Sequence, residues 1–159
     1  MIEVKVLTPD DWAIWRELRL TALADAPYAF GSRLADWQGD GDREERWRAR
    51  LEIPGSYNLV AALDGAPVGM AGGVPGPHHG VVELISMWVS AAGRGCGVAD
   101  RLVRAVEEWG LRAGAEVLRL NVMPDNARAL AFYRRIGLAE AGEEEGEVVM
   151  EKVLRSPRR

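Results

Sequence analysis

The sequence predicts an α/β domain with a mixed sheet, because strand-like and helix-like stretches follow each other along the chain. Stretches with a two-residue period indicate strands, and stretches with apolar residues three and four apart indicate helices. The predicted order is β-α-α-β-β-β-α-β-α-β-β, or about seven strands and four helices. Neither a repeat nor a linker interrupts the 159 residues. We therefore predict one domain over 1–159, of which 155–159 form a basic tail.

The first third of the chain predicts one strand and two helices around an irregular segment. Apolar and polar residues alternate over 2–7, as in a half-buried strand. Thr8 and Pro9 suit the start of the first helix, because Thr can cap a helix and Pro fits its first position. Proline and glycine interrupt the segment 25–37, and a second, charged helix is predicted over 42–51.

The rest of the chain predicts a hairpin followed by alternating strands and helices. Asp64 and Gly65 separate two apolar runs, and an Asp-Gly pair is typical of a tight hairpin turn. The run 81–89 is long and mostly apolar, which predicts a central strand. The remaining predictions are a helix over 97–112, a strand over 115–123, a helix that Asp125 or Asn126 caps and Gly137 ends, and two strands within 137–154 around an acidic turn.

Composition and charge exclude several classes of protein. A net charge of −4 and an isoelectric point near 5.3 argue against a nucleic-acid-binding domain, which is usually basic. No apolar run approaches the length of a membrane span, and the first residues lack the layout of a signal peptide. Cys96 is the only cysteine, which excludes an intrachain disulfide and a cysteine-based zinc site. We therefore expect a cytoplasmic protein without a cysteine-based zinc site, a membrane partner or a nucleic-acid partner.

A glycine-rich turn, GRGCG at 93–97, separates the predicted central strand from the following helix. Successive N–H groups in such a turn, together with the positive end of the helix, can bind a phosphate. A tight connection that binds nothing is the alternative. Two known phosphate loops fit poorly: no lysine lies between Lys5 and Lys152 for a Walker loop, and Asp100 stands where a dinucleotide fingerprint has Gly or Ala. A dinucleotide-binding oxidoreductase is therefore disfavoured.

Two segments resemble the signatures of the GNAT superfamily of acetyl-CoA-dependent N-acetyltransferases. RGCGVA at 94–99 is similar to the family's Arg/Gln-x-x-Gly-x-Gly/Ala loop, and LNVMPDNARALAFYRRIGL at 120–138 is similar to its second signature. The resemblance is strongest over 82–138, where the two segments also have the usual separation, and the element order agrees throughout. It implies the GNAT fold, a mixed and mostly antiparallel sheet whose fourth and fifth strands splay apart. It also implies acetyl-CoA as the cosubstrate, and no metal.

The resemblance further implies which residues bind acetyl-CoA. Backbone amides near Met87 and Val89 would bond the pantetheine arm and polarise the thioester carbonyl, while the loop would hold the pyrophosphate. Asn126 would cap a helix, bond the pantetheine, or do both. Asp100 departs from the family pattern, because a carboxylate beside a pyrophosphate is unfavourable unless it points away. The cofactor-binding residues predicted in this way are Met87, Trp88, Val89, Arg94, Gly95, Cys96, Gly97, Val98, Ala99, Asn121 and Asn126.

Two residues are predicted to be catalytic. Tyr133 matches the family tyrosine whose hydroxyl protonates the leaving thiolate; the alternative is a core aromatic, because Phe132 is adjacent and only one of the two can face inward. Glu83 is the candidate base for the amine. It lies six residues before Val89, where several family members have a glutamate, and a two-residue period would place both on one strand face. Asn121 or water are the rival ways to position the amine.

The resemblance thus implies an N-acetyltransferase that transfers an acetyl group from acetyl-CoA to a primary amine by direct attack in a ternary complex. The alternative is an acyl-CoA sensor or partner-binding module without chemistry. The acceptor, a small molecule or a peptide, is not specified, and a homodimer is left open. Cys96 lies under the predicted pyrophosphate, which disfavours it as a nucleophile. His78 and His79 are expected at the surface, and the acidic turn 142–147 is expected either to be solvated or to attract a cationic substrate.

Overall fold

The computed structural model of the chain describes residues 1–26 and 34–154, in which seven strands form one mixed sheet. The strands are β1 Ile2–Val6, β2 Tyr57–Leu63, β3 Ala66–Pro75, β4 Val81–Val89, β5 Val117–Val122, β6 Ala139–Glu144 and β7 Glu147–Val153. They lie in the order β1-β2-β3-β4-β5-β7-β6. β4 and β5 run parallel, whereas every other neighbouring pair is antiparallel. The predicted fold class, with β4 at the centre of the sheet, is confirmed.

Within the described ranges, four α-helices flank this sheet: α1 Trp12–Asp25, α2 Glu44–Leu51, α3 Val98–Arg112 and α4 Ala127–Arg135. A 3-10 turn over Pro9–Asp11 precedes α1, so the α-helix begins later than the Thr8 signal predicts. Thr8 and Asp11 form a capping box there, in which the Thr8 N–H donates to Asp11 Oδ2 at 2.8 Å. Further 3-10 turns are Leu34–Trp37, Gly39–Gly41 and Ala91–Gly93.

The sheet separates two apolar cores. On one face, α3 and α4 cover side chains such as Leu118, and Val106 of α3 is fully buried there. On the other face, Trp15 of α1 and Trp47 of α2 pack with Trp88 of β4. The central strands therefore bury side chains on both faces, which explains why they read as nearly continuous apolar runs. The end of β4 consequently lies between two helical layers.

Local sequence signals placed several boundaries correctly. Asp64 and Gly65 have φ of 51° and 88°, the left-handed pair that a type I′ hairpin turn requires, so the predicted Asp-Gly turn is confirmed. The strand predicted over 115–123 is shorter in the structure, where β5 covers Val117–Val122. Two predictions lie outside the described residues, namely the middle of the irregular segment, 27–33, and the basic tail, 155–159.

Candidate active site

β4 and β5 pair over only three residues and then diverge. Residues 81–83 lie beside 117–119, and within these two strands no pairing follows, although β4 continues to Val89 and β5 to Val122. The backbone groups of β4 that face β5 beyond this fork are therefore not used by the sheet. The splay that the resemblance implies is confirmed.

A cavity of about 640 Å³ lies at this gap, within the size range of small-molecule and cofactor sites. Its walls come from the end of β4, the loop that follows, the start of α3 and one side of α4. Most residues predicted to bind acetyl-CoA or to catalyse its reaction line the cavity: Met87, Trp88, Val89, Arg94, Gly95, Gly97, Val98, Ala99, Asn126 and Tyr133. Three predicted residues, Glu83, Cys96 and Asn121, are not part of this wall.

The loop between β4 and α3 presents its backbone to the cavity. Gly95 and Gly97 have φ of +77° and +86°, a conformation that residues with a Cβ rarely adopt. A Cβ built on either glycine meets no atom of residues 1–26 or 34–154 within 4 Å, so the space beside both is open there. Gly97 is also the N-cap of α3, whose first-turn N–H groups have no partner within the helix. The loop therefore combines free donors, a positive helix end and room for an anion.

Three charged side chains of the cavity wall, Arg94, Asp100 and Arg135, form ion pairs. Arg94 Nη2 lies 3.1 Å from Asp25 Oδ2, and Arg94 Nε donates to the carbonyl oxygen of Val89 at 3.2 Å. Arg135 Nη2 donates to Asp100 Oδ1 at 3.0 Å. A guanidinium from α4 thus balances the Asp100 carboxylate, the residue that departs from the family pattern. This pairing makes Asp100 compatible with a phosphate close to the loop.

Two arginines of the cavity wall were missed by sequence reasoning. Arg128 and Arg135 both belong to the wall formed by α4, opposite the glycine loop. They are seven residues apart, or about two helical turns, and therefore share one face of the helix. That spacing is the signal that could have found them. Which face of α4 meets the loop depends on tertiary packing.

Tyr133 is the buried member of the aromatic pair on α4. Its side chain is 7% exposed and lines the cavity, and its ring centroid lies 5.2 Å from that of Phe132, which is half-buried and also lines the cavity. Among the described residues, none forms a hydrogen bond with the Tyr133 hydroxyl. Burial raises the pKa of Tyr133 above its usual value, which keeps the phenol protonated at neutral pH. The arrangement suits a proton donor that faces a bound molecule.

Asn126 occupies the N-terminal end of α4. Its Oδ1 accepts a hydrogen bond from the Ala129 N–H at 3.2 Å, so the predicted capping role is confirmed. Asn126 also lines the cavity. A bond from this side chain to pantetheine stays a prediction.

β4 contains a bulge that the sequence reading missed. Ser86 and Met87 together stand opposite the single residue Ala71 of β3, because the register between the two strands shifts there. Ser86 has φ of +56°, which marks the extra residue. A bulge of this kind shifts the alternation of side chains by one residue.

The bulge changes the face on which Glu83 lies. Leu84 before the bulge and Val89 after it both pack into the core below α3, whereas Trp88 packs on the side of α1 and α2. Glu83, which points away from Leu84, therefore shares its strand face with Trp88. The prediction that Glu83 and Val89 share a face is wrong, because it assumed an uninterrupted two-residue period.

Glu83 is bound at the fork by Arg119, the residue opposite it in β5. Arg119 Nη1 donates to Glu83 Oε2 at 2.7 Å, and the other Glu83 oxygen makes no hydrogen bond to the described residues. Arg119 is 9% exposed and also lies 2.5 Å from Glu144 and 3.9 Å from Glu151. Its hydrogen bond lowers the pKa of Glu144. Glu83 thus has a fixed position and one open oxygen, and its role as a base stays a prediction.

Asn121 lies on the same face of β5 as Arg119. Its Nδ2 donates to Glu147 Oε1 at 3.2 Å, and the residue is exposed. Glu144 and Glu147 therefore tie the acidic turn to β5, while residues 142–146 of the turn are all exposed, as the solvated alternative predicts. His78 and His79 are exposed, as predicted, and Cys96 is exposed as well. In residues 1–26 and 34–154, no three His, Cys, Asp or Glu side chains are grouped as a metal site.

Comparison with known proteins assigns the family. A family model described as the acetyltransferase (GNAT) family matches residues 15–138, which is most of the chain. This chain belongs to the GNAT acetyltransferase family. Membership in this family supports an acyltransferase activity.

Solved GNAT-like structures have the same architecture. The PaiA N-acetyltransferase from Thermoplasma acidophilum, crystallised with coenzyme A, superposes with a TM-score of 0.80 at 16% identity, over 96% of this chain and 99% of that one. A GNAT-family acetyltransferase from Streptococcus pneumoniae gives 0.77 at 18% identity, over 98% and 100%. YncA from Salmonella typhimurium, solved with its cofactor acetyl-CoA, gives 0.71 at 20% identity, over 100% and 97%. At these identities the likeness shows the fold.

The longest of the described helices, α3, has 15 residues, whereas a membrane span needs about 20. Over the described ranges, none is both long and apolar enough to cross a bilayer.

Proposed function

We propose that this protein transfers the acetyl group of acetyl-CoA to a primary amine by direct attack in a ternary complex. The observation that carries the proposal is the cavity at the fork of β4 and β5, which joins the glycine loop at one end to Tyr133 within its wall. Acetyl-CoA would supply an activated thioester and a pyrophosphate that anchors it. If the glycine loop served only to connect β4 to α3, neither an open cavity nor a buried phenol beside it would be needed.

The glycine loop fits a pyrophosphate. The α3 N-terminus offers unpaired N–H donors, and the open space beside Gly95 and Gly97 lets an oxygen approach the backbone closely. Each hydrogen bond to a charged oxygen contributes about 1.5–3 kcal/mol. At the same end, Arg135 offsets the carboxylate of Asp100, and the Arg94 guanidinium, which is paired with Asp25, lies in the cavity wall.

The free edge of β4 fits an extended arm with a carbonyl at its end. Beyond the fork, the N–H and C=O groups of β4 on the β5 side pair with no strand of the described residues. Met87, Trp88 and Val89 line the cavity there. Backbone N–H groups at these positions would donate to the thioester oxygen and stabilise the negative charge that develops on it.

The amine must lose a proton before or during attack. An alkylamine with a pKa of about 10.4 costs roughly 4.6 kcal/mol to deprotonate at pH 7. Glu83, which has one open carboxylate oxygen at the fork, would accept this proton directly or through a water molecule. Arg119 keeps the carboxylate in place.

Tyr133 would donate a proton to the departing thiolate. Its phenol is protonated at neutral pH and lies in the cavity wall. Burial that raises the pKa of a phenol also raises that of a thiolate in the same cavity, so the transfer stays feasible. Cys96, exposed on the loop, has no part in this scheme.

The test is amine-dependent release of free thiol by the purified protein. Acetyl-CoA would be supplied with a panel of polyamines, amino acids, peptides and aminoglycosides, and acetylated products would be confirmed by mass. We expect thiol release with at least one amine and none without. Binding of acetyl-CoA by calorimetry with no turnover on any amine would indicate the alternative, a sensor without chemistry.

Several accompanying expectations remain part of this proposal. They are a single domain, a cytoplasmic location, a small-molecule or peptide amine as the partner, and no nucleic-acid or membrane partner. Whether the protein forms a homodimer is left open.

A further inference from the structure

Arg50, near the end of α2, has its guanidinium on the sheet face that carries α1 and α2. Its Nη1 donates to Asn58 Oδ1 at 2.8 Å, and its Nη2 donates to Ser86 Oγ at 3.1 Å. Its Cζ lies 4.8 Å from the centre of the Trp15 ring. These partners are all uncharged, and they use two of the five N–H donors of the guanidinium.

The surroundings hold this guanidinium in one orientation. A Cβ added at Gly72 would stand 2.7 Å from Arg50 Nη2, so the glycine leaves room for the planar group on β3. Asn58 is 2% exposed, and its Nδ2 donates to Ser56 Oγ at 3.1 Å. That bond turns the Asn58 oxygen towards Arg50. A fixed, planar donor group is suited to a carboxylate, which accepts two parallel hydrogen bonds.

No carboxylate of residues 1–26 or 34–154 forms an ion pair with Arg50. The remaining segments, 27–33 and 155–159, contain neither Asp nor Glu, so they have no acidic side chain to supply one. A second guanidinium, that of Arg19, lies one helical turn beyond Trp15 on the same side of α1. Burial and the charge of Arg19 together lower the pKa of Arg50 to about 10. A half-buried guanidinium without a carboxylate partner, such as that of Arg50, is costly unless a bound anion pairs with it.

The position of Arg50 relates it to the cavity. Its partner Ser86 is the residue immediately before Met87, and Met87 lines the cavity. Ser86 and Met87 are the two residues of the β4 bulge. The guanidinium is therefore one residue along β4 from the cavity wall, and on the side of α1 and α2.

We infer that Arg50 binds a carboxylate of the acceptor, so that the acceptor is a small primary amine with a carboxylate a few bonds from its nitrogen, such as an amino acid. The inference rests on the proposed function for the position of the amine. It names the class of acceptor, which the sequence leaves open. The carboxylate and the amine nitrogen of the acceptor must be close together, because the carboxylate and the thioester that the amine attacks would lie on either side of one bulge in β4.

The first test compares amines that differ only in the carboxylate. The substrates are the L-amino acids and the matching amino-acid amides, with the wild-type protein and the Arg50→Gln and Arg50→Lys variants. We expect a higher kcat/KM for the acid of at least one pair. Arg50→Gln should lower kcat/KM for that acid by about 10- to 100-fold, the effect of a charge-assisted hydrogen bond, and leave the amide unchanged. Arg50→Lys should restore part of the loss.

The control variant is Arg48→Gln, which removes the same charge from the same helix. Arg48 is paired with Asp10 and Glu44 on the outer side of α2. It should leave the preference for acids over amides unchanged. An equal loss of kcat/KM for the acid in Arg48→Gln and Arg50→Gln would show that only the net charge of α2 matters, and it would overturn the inference.

A binding measurement separates this inference from the proposed function. Calorimetry with the protein–CoA complex and the same acids and amides requires no turnover. Acid binding that Arg50→Gln abolishes would support the inference even if no amine is acetylated. Equal binding of acids and amides to the wild type would overturn it, whether or not amines are acetylated. Preference for O-phosphoethanolamine over β-alanine would also overturn it, because the site would then recognise phosphate.

Discussion

Gly97→Ala tests the glycine loop most directly, because the structure separates its effect on stability from its effect on binding. Gly97 has φ of +86°, and no atom of the described part of the chain lies within 4 Å of an added Cβ. The methyl group therefore meets no steric conflict in the free protein. It imposes only the cost of a left-handed conformation, about 1–2 kcal/mol of unfolding free energy.

Binding should suffer more than stability. The new methyl group would occupy the space through which a phosphate oxygen approaches the N–H groups of the loop. Loss of one hydrogen bond to a charged oxygen corresponds to about 1.5–3 kcal/mol, or roughly 10- to 150-fold in the dissociation constant of acetyl-CoA. The measurement is calorimetry on variants whose stability is known from chemical unfolding.

Gly114 provides a matched control at the other end of α3. It has φ of +87°, and an added Cβ there is likewise more than 4 Å from every atom that the described ranges contain. The helix separates it from the loop by roughly 22 Å. Gly114→Ala should lose as much stability as Gly97→Ala and keep its affinity for acetyl-CoA. Equal affinities in the two variants would refute the assignment of the loop to the pyrophosphate.

Three further predictions concern catalysis and pH. Tyr133→Phe should lower kcat by about 10²–10⁴-fold and leave acetyl-CoA affinity and melting temperature nearly unchanged; full turnover would make Tyr133 a packing residue. Glu83→Gln should flatten the rise of kcat/KM with pH, and an unchanged profile would assign the amine proton to water. Hydrogen bonds from Arg16 and Trp47 lower the pKa of Asp42 from 3.8 to about 2. The ionised Asp42 therefore contributes fully to the free energy of unfolding above pH 3.8, and this contribution is lost as the pH falls towards about 2. Asp42→Asn should therefore destabilise the protein at neutral pH more than at pH 2 in chemical unfolding, and equal effects would contradict this account.

Elements with a local physical cause could be predicted from sequence. The Asp64–Gly65 turn is one example, because few other residue pairs adopt two successive left-handed conformations. The glycine loop is another example, because its backbone has positive φ at Gly95 and Gly97, a conformation that glycine adopts without steric cost. The second signature likewise placed Tyr133 in the cavity wall.

Features that depend on packing could not be predicted. The bulge at Ser86 could not be predicted, because the residues around it are apolar on both faces of β4. The sequence there has no alternation of polar and apolar residues in which an extra residue would be visible. The pair of Arg135 with Asp100 joins residues 35 positions apart on two helices. The contact of Arg50 with Ser86 joins a helix to a strand across 36 positions of sequence. Sequence spacing carries no information about such distances.

The bulge also explains how one strand can serve two ligands. In a regular β4, Met87 and Val89 would lie on the face of Glu83, and Trp88 would point into the core below α3. The extra residue instead places Met87 and Val89 on the α3 side, while Ser86 contacts Arg50 on the other side. The cofactor wall and the proposed carboxylate site therefore depend on the same irregularity. A strand without it could keep the fold but would lose the division of its faces between cosubstrate and acceptor.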